Sequence, residues 1–200
     1  MTDFQDFPKM ARLSRECIIT EKIDGTNAQV YIAPGFPNAP GCITSWFDSD
    51  TGTDMVMYAG SRTRWITPEE DNYGFAAWVK ANAEDLKSLG AGRHFGEWWG
   101  AGIQRRYGLT EKRFSLFNVT RWKDERPGCC WVVPELFRGT FSTERAEFAL
   151  SNLAATGSVA SIGFDRPEGI VVYHVAAGMG FKKTIEKDEM SKQQAAAEAA

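Results

Sequence analysis

A lysine stands inside the strand-like run Thr20-Glu21-Lys22-Ile23, and Asp24-Gly25 breaks that run at once. Held at the mouth of a pocket among apolar neighbours, such an amine is a nucleophile; the ordinary alternative is a β-hairpin whose lysine points to water. Lys22-x-Asp24-Gly25 alone arises by chance in roughly one 200-residue chain in twenty, so the weight falls on four segments nearer the C-terminus. Ser61-Arg62-Thr63 offers a planar guanidinium fork suited to phosphate, against the alternative of an exposed arginine. Phe95-Gly96-Glu97-Trp98-Trp99-Gly100 sets a carboxylate in an aromatic-lined strand, where it is costly unless paired or ligand-bound. Phe117, in Phe114-Ser115-Leu116-Phe117-Asn118-Val119, has the period-2 setting of a core residue. Glu168 precedes Ile170-Val171-Val172, where a carboxylate can hold Mg2+ through water, or is simply a solvated acid after Pro167. Gly25 permits a tight turn close to a phosphate. Asp24 orients the lysine, binds metal-held water or sets the turn; Asn27 donates to a phosphate or ribose oxygen, or caps the turn.

Strands are the elements that must position these groups. Ile18, Ile19, Ile23, Val30 and Ile32 suggest two half-buried strands joined by a turn at Asp24-Gly25. Residues 34–54 read as a long loop with a short strand at Cys42–Trp46, and Met55–Ala59 as another strand. Tyr73 to Leu89 has Phe75, Trp78, Val79, Ala83 and Leu86 at helical spacing, with Gly90 as the stop. His94–Trp99, Phe114–Val119 and Trp131–Val133 read as strands, the first two flanking a basic loop. A second helix opens at Ser142 and ends at Gly157. Gly169–Val175 and Met179–Thr184 form a hairpin around Ala177-Gly178, and the tail over 186–200 is helical. Strands with two inserted helices and hairpin connections predict an α+β fold with an antiparallel core.

Two hundred residues, 43% hydrophobic and 12% aromatic, can bury a sizeable core. No apolar run reaches the ~20 residues that span a bilayer, and the polar N-terminus is no signal peptide, so a cytoplasmic protein without membrane partners is expected. Cys17, Cys42, Cys129 and Cys130 form no CxxC pair; they are expected to be reduced packing residues. A net charge of −3 argues against a protein that coats nucleic acid without selectivity. It leaves room for a local basic groove from Arg105, Arg106, Lys112, Arg113, Arg121 and Lys123, or from Arg62 and Arg64, although the sequence alone favours a solvated loop for both clusters. No GxGxxG follows a strand and no GxxxxGK[ST] occurs, which removes the common dinucleotide and P-loop sites.

Taken in order, these segments resemble the covalent nucleotidyltransferase superfamily of ATP-dependent ligases and capping enzymes. Within it the likeness is to the RNA ligase 2 and RNA-editing-ligase branch, and the run FGEWWGAGIQRRYGLTEKRFSLFNV is very similar to that branch. The likeness covers residue 16 to about 185 and implies an antiparallel-sheet adenylation domain over 1–185. It also implies the chemistry: Lys22 attacks the α-phosphorus of ATP with Mg2+ present, AMP passes to an RNA 5′-phosphate, and a 3′-hydroxyl seals the strand. An ordinary lysine is neutral only about once in several thousand molecules at pH 7, and partial burial and neighbouring cations raise that fraction. The implied catalytic residues are Lys22 and Lys182, the latter neutralising the α-phosphate; Lys182 or Lys183 would be the cation beside Lys22. The implied nucleotide-binding set is Glu21, Asp24, Gly25, Asn27, Arg62, Glu97, Phe117, Glu168 and Lys183. In it Arg62 touches AMP or the RNA terminal phosphate, Glu97 accepts from ribose hydroxyls and Phe117 stacks on adenine. Glu168 is also the implied metal ligand.

The sequence departs from that branch at two points. The last motif of the branch has lysines two apart, whereas here Thr184 takes the second position and Lys183 intervenes. Larger relatives carry a C-terminal domain that engages RNA; none is expected here, which leaves room for an accessory protein in its place. The expectation is a minimal ATP-dependent RNA ligase of phage or bacterial type, in the host cytoplasm if phage-encoded. The alternatives are a DNA ligase, a GTP-using capping enzyme or other lysine nucleotidyltransferase, and a non-catalytic nucleotide- or RNA-binding module. A purely structural protein gives no reason for ordered polar motifs around apolar strands.

Overall fold

The computed structural model describes residues 3–186 and 188. Its strands, in chain order, are β1 (Glu16–Lys22), β2 (Thr26–Pro34), β3 (Thr44–Asp48), β4 (Thr53–Gly60), β5 (Trp65–Ile66) and β6 (Gly92–Gly100). They continue with β7 (Lys112–Leu116), β8 (Trp131–Val132), β9 (Glu135–Thr140), β10 (Gly169–His174) and β11 (Met179–Thr184). The helices are α1 (Phe75–Ala81), α2 (Ala83–Leu86), α3 (Val119–Trp122) and α4 (Thr143–Thr156). The chain divides into two units: Met1–Lys22 with Pro134–Ala200, and Ile23–Val133.

The first unit is a four-stranded antiparallel sheet, ordered β11-β10-β1-β9, with α4 against one face. Cys17 and Ile19 of β1, Ile170 and Val172 of β10, and Ala149 and Leu153 of α4 form its core. Strand alternation therefore turns Lys22, Thr20 and Ile18 to the face away from α4. As the sequence predicts, Ser142 caps α4, accepting from Arg145 N at 3.3 Å, and Gly157 ends it.

The second unit is a seven-stranded sheet ordered β3-β4-β2-β6-β7-β8, with β5 added to β4; all pairs are antiparallel except β7 with β8. Val30, Ile32, Met57 and Phe114 project from one sheet face onto Phe75, Val79, Leu86 and Leu89 of the helical segment. The sheet-rich α+β class agrees with expectation, and all four cysteines are free. Among the described residues no helix is long and apolar enough to cross a membrane.

Four local expectations differ. β1 and β2 are not a hairpin: they lie in separate sheets, because both edges of β1 are taken by β9 and β10. The helix expected from Tyr73 to Leu89 breaks at Asn82, whose backbone N–H and side-chain Nδ2 both donate to the Trp78 carbonyl. The strand expected at Cys42–Trp46 lies at Thr44–Asp48, set by pairing with β4. β7 stops at Leu116, because the Asn118 side chain accepts from Arg121 N at 3.1 Å and caps α3. Beyond Glu186 and Asp188, the tail expected to be helical over 186–200 lies outside the described residues.

Candidate active site

Strand pairing builds the first cluster. Lys22 ends β1 opposite Gly169, so Glu168, one residue earlier, comes beside it. Lys22 Nζ donates to Glu168 Oε2 at 2.5 Å, with the two side chains 20% and 8% exposed. Ile185 N donates to the Glu168 carbonyl at 2.9 Å and pins this corner. A Cβ on Gly169 would meet the Lys183 carbonyl oxygen and come within 2.7 Å of Thr184 Cα, so only glycine lets β11 close on β10 here.

The cation expected beside Lys22 is thus an anion. Lys182 pairs across Val171 to Thr20, which puts it on the Lys22 face but two strands over and two residues along. Strand spacing makes that roughly 12 Å between Cα atoms. Lys183, opposite Ile170, lies on the α4 face and donates to Glu147 Oε1 at 2.7 Å. The expected nucleotide-binding role of Lys183 does not fit that placement; alternation gives the second position on the Lys182 face to Thr184. Glu21 is likewise turned to the α4 side. Its carboxylate accepts from Ser158 Oγ at 2.6 Å and from Val159 N and Ala160 N, both at 2.8 Å. A side chain so occupied does not fit the nucleotide contact expected of it. Burial raises the Glu21 pKa above the ordinary carboxylate value, against the lowering effect of these three bonds.

The second cluster lies in the other unit and centres on Glu97. Gly25 N donates to Glu97 Oε1 at 3.1 Å and Asn27 Nδ2 to Oε2 at 3.0 Å. β2 and β6 make this possible by pairing Asn27 with Glu97. Glu97 is therefore buried, hydrogen-bonded and fixed in orientation, which answers the cost of placing a carboxylate among aromatics. Gly25 has a different reason from the one its sequence suggests: a Cβ there would come within 2.5 Å of the Trp98 carbonyl oxygen. Asp24 Oδ2 pairs with Arg105 Nε at 3.3 Å, and its N–H donates to Tyr107 Oη at 2.9 Å.

Arg105 was legible only as part of a basic loop, and Tyr107 was not legible at all. Its loop carries positive φ at Gln104, Arg106 and Tyr107, a backbone state uncommon for residues with a side chain. The Tyr107 ring packs edge-on to Trp99 at 5.0 Å, so it clamps the Asp24 turn to β6. Arg62 lies in the exposed turn after β4, with no ion-pair partner among the described residues. Phe117 is 41% exposed instead of core.

No three His, Cys, Asp or Glu side chains gather into a metal cluster among the described residues. Glu168 is a single buried hard-oxygen donor, which suits a cation that keeps waters and phosphate oxygens as its other ligands.

A model of the RNA ligase family matches residues 15–187. No curated protein matches the chain. Among solved structures, a Glu-to-Ala mutant of Naegleria gruberi RNA ligase with ATP and Mn is similar at TM-score 0.58 and 18% identity, covering 87% of this chain and 51% of that one. A Lys-to-Ala mutant of the R4a ligase of the same organism, without ligand, has TM-score 0.55 at 18% identity, covering 86% and 50%. A Lys-to-Met mutant with AMP and Mn has TM-score 0.54 at 17% identity, covering 86% and 50%. The chain spans about half the length of these proteins.

Proposed function

This chain belongs to the RNA ligase family, and from that premise we propose that it is an ATP-dependent RNA ligase acting through a lysyl-AMP intermediate. The observation that carries the reading is Lys22, two residues before Asp24 of the Asp24-Gly25 turn, ending a strand in contact with Glu168. Residues 1–185 make up the proposed adenylyltransferase, of the nucleotidyltransferase type. The ATP and AMP complexes of the Naegleria gruberi enzyme support a nucleotide as the ligand.

Lys22 Nζ must first lose a proton, and its contact with Glu168 Oε2 supports that carboxylate as the acceptor. The amine then bonds to the α-phosphorus of ATP, and the bond to the pyrophosphate oxygen breaks. An oxygen of the RNA 5′-phosphate next attacks the same phosphorus, and Lys22 leaves. Finally a 3′-hydroxyl attacks the activated 5′-phosphate and AMP departs. Glu97, held by Gly25 and Asn27, is suited to accept from ribose hydroxyls, and the exposed Phe117 to stack on adenine. Lys182 and Arg62 supply cationic charge for phosphate oxygens. Mg2+ or Mn2+ held at Glu168 would supply further neutralisation of phosphate charge.

The test is incubation with α-labelled ATP and Mg2+, followed by a denaturing gel and peptide mapping. One AMP per chain on Lys22, absent from Lys22→Ala, is the expected result. Binding of ATP without any covalent label would instead identify a non-catalytic module.

A further inference from the structure

The face of the seven-stranded sheet opposite its helices does more than carry Glu97. Alternation puts Glu97, Phe95 and Arg93 of β6, and Asn27, Gln29 and Tyr31 of β2, on that face in matched pairs. Tyr58 follows opposite Tyr31, and Trp65 stands beside it on β5. Tyr31 and Trp65 stack with centroids 5.7 Å apart at 23°, and Tyr58 lies 5.4 Å from Trp65. The Arg93 guanidinium sits 4.2 Å from the centre of the Tyr31 ring and 5.3 Å from that of Trp65. Gln29 fastens the array, accepting from Arg93 Nη1 at 3.1 Å and donating to the Ser61 carbonyl at 3.4 Å.

A solvent-facing sheet surface needs no such arrangement, since polar and β-branched residues serve there. Here Trp65 is 41% exposed and Phe95 51%. Arg93 is the charge against the rings, and it has no carboxylate partner among the described residues. Arg93 is bonded to an amide, Arg64 to the carbonyls of Trp65 and Glu70, and Arg62 to no carboxylate among the described residues. Partly exposed aromatic rings beside a guanidinium group suit a strand of unpaired bases and phosphates.

We propose that Trp65, Tyr31, Tyr58 and Arg93 form a stacking platform for unpaired bases of single-stranded RNA. Phe95 links it to Glu97 along one sheet face. The inference rests on the reading of RNA as substrate, and adds where on this chain a single strand lies. The platform begins four residues along β2 from Asn27, about 13 Å from the Glu97 cluster. A strand held there has its end near the nucleotide-binding residues of this unit and its body on the rings. Because any base has a π-face, recognition is independent of sequence but demands that the bases be unstacked.

The test measures fluorescence anisotropy of a fluorescein-labelled oligoadenylate with the intact protein, beside an abasic ribose-phosphate oligomer of equal charge and an RNA duplex. Trp65→Ala is expected to weaken oligoadenylate binding about tenfold, with Trp65→Phe recovering most of it. The abasic oligomer should bind weakly to wild type and be indifferent to Trp65→Ala. Circular dichroism confirms that each variant is folded, and labelling by ATP reads the active site separately. The platform is overturned if wild type binds no oligoadenylate, if Trp65→Ala binds it as wild type does, or if duplex binds as tightly with the same dependence on Trp65. A wild-type protein that takes no label from ATP yet binds oligoadenylate through Trp65 would defeat the ligase reading and leave the platform standing.

Discussion

Lys22 and Glu168 are 146 positions apart in sequence, and only the pairing of β1 with β10 makes them neighbours. The contact with Glu168 orients the amine at the end of β1. Lys22→Arg keeps the charge and a partner for Glu168 but removes the nucleophile. Its melting temperature should stay close to wild type while covalent labelling by ATP vanishes; residual label on the variant would mean another residue accepts AMP. The two adjacent lysines of the last motif should separate in the same assay. Lys182→Ala should slow labelling by about two orders of magnitude, the scale of one lost charge contact to a developing oxyanion. Lys183→Ala should label as wild type, since its amine faces Glu147 on α4. Equal losses in both variants would overturn the assignment of faces. That distinction was latent in the sequence: alternation along Phe181-Lys182-Lys183-Thr184 sets the lysines on opposite faces, but not which face is Lys22's. Settling that takes the register to Val171 and Thr20.

At the scale of elements, what was legible followed local rules and what was not followed pairing. Ser142 and Gly157 bound α4 as their capping preferences require, and the hairpin of β10 and β11 lies where its turn residues put it. By contrast the turn at Asp24-Gly25 looks like a hairpin locally, and becomes a crossing between sheets because β9 supplies the missing edge. That strand, Glu-Leu-Phe-Arg-Gly-Thr, has too little alternation to be seen alone. Of the site, the carboxylates, lysines and Phe117 were legible as types. Their partners, Arg105, Tyr107 and Ser158, were not, because each meets its target from more than 80 residues away. Gly25 shows the consequence for stability. Gly25→Ala drives a methyl group into the Trp98 carbonyl and the Trp99 Cβ, at 2.5 and 2.7 Å, so the start of β2 must shift from β6. A loss of about 1–3 kcal/mol is expected from such overpacking, read from urea unfolding, together with a loss of ATP labelling as Glu97 loses the Gly25 N–H. A variant as stable as wild type would show that the turn is not held by this packing.

For the whole molecule, two cores in two units answer acid in opposite ways. His94 is buried in the second unit, its Nε2–H donating to the Gly90 carbonyl at 2.9 Å with the ring against Trp122. Burial, helped by Arg121, lowers its pKa below the usual 6.5. Below that pH the unfolded chain therefore takes up a proton that the folded unit refuses, and stability is lost as pH falls. Glu21, in the first unit, has its pKa raised above the usual 4.5 by burial. The stability it contributes is complete below that value and lost as pH rises through the folded pKa, so acidification restores it. All seven tryptophans lie between residues 46 and 131, inside the second unit, so indole fluorescence reads that unit alone. α4 lies in the first unit and α1, α2 and α3 in the second, so far-ultraviolet dichroism reads both units together. Between about pH 7.5 and about pH 5 the fluorescence melting midpoint should therefore fall by several degrees more than the helical dichroism midpoint. His94→Gln, which keeps an N–H for the Gly90 carbonyl and cannot titrate, should narrow that gap. Two probes that shift together in both proteins would mean that burial of His94 does not set the acid limit of the second unit.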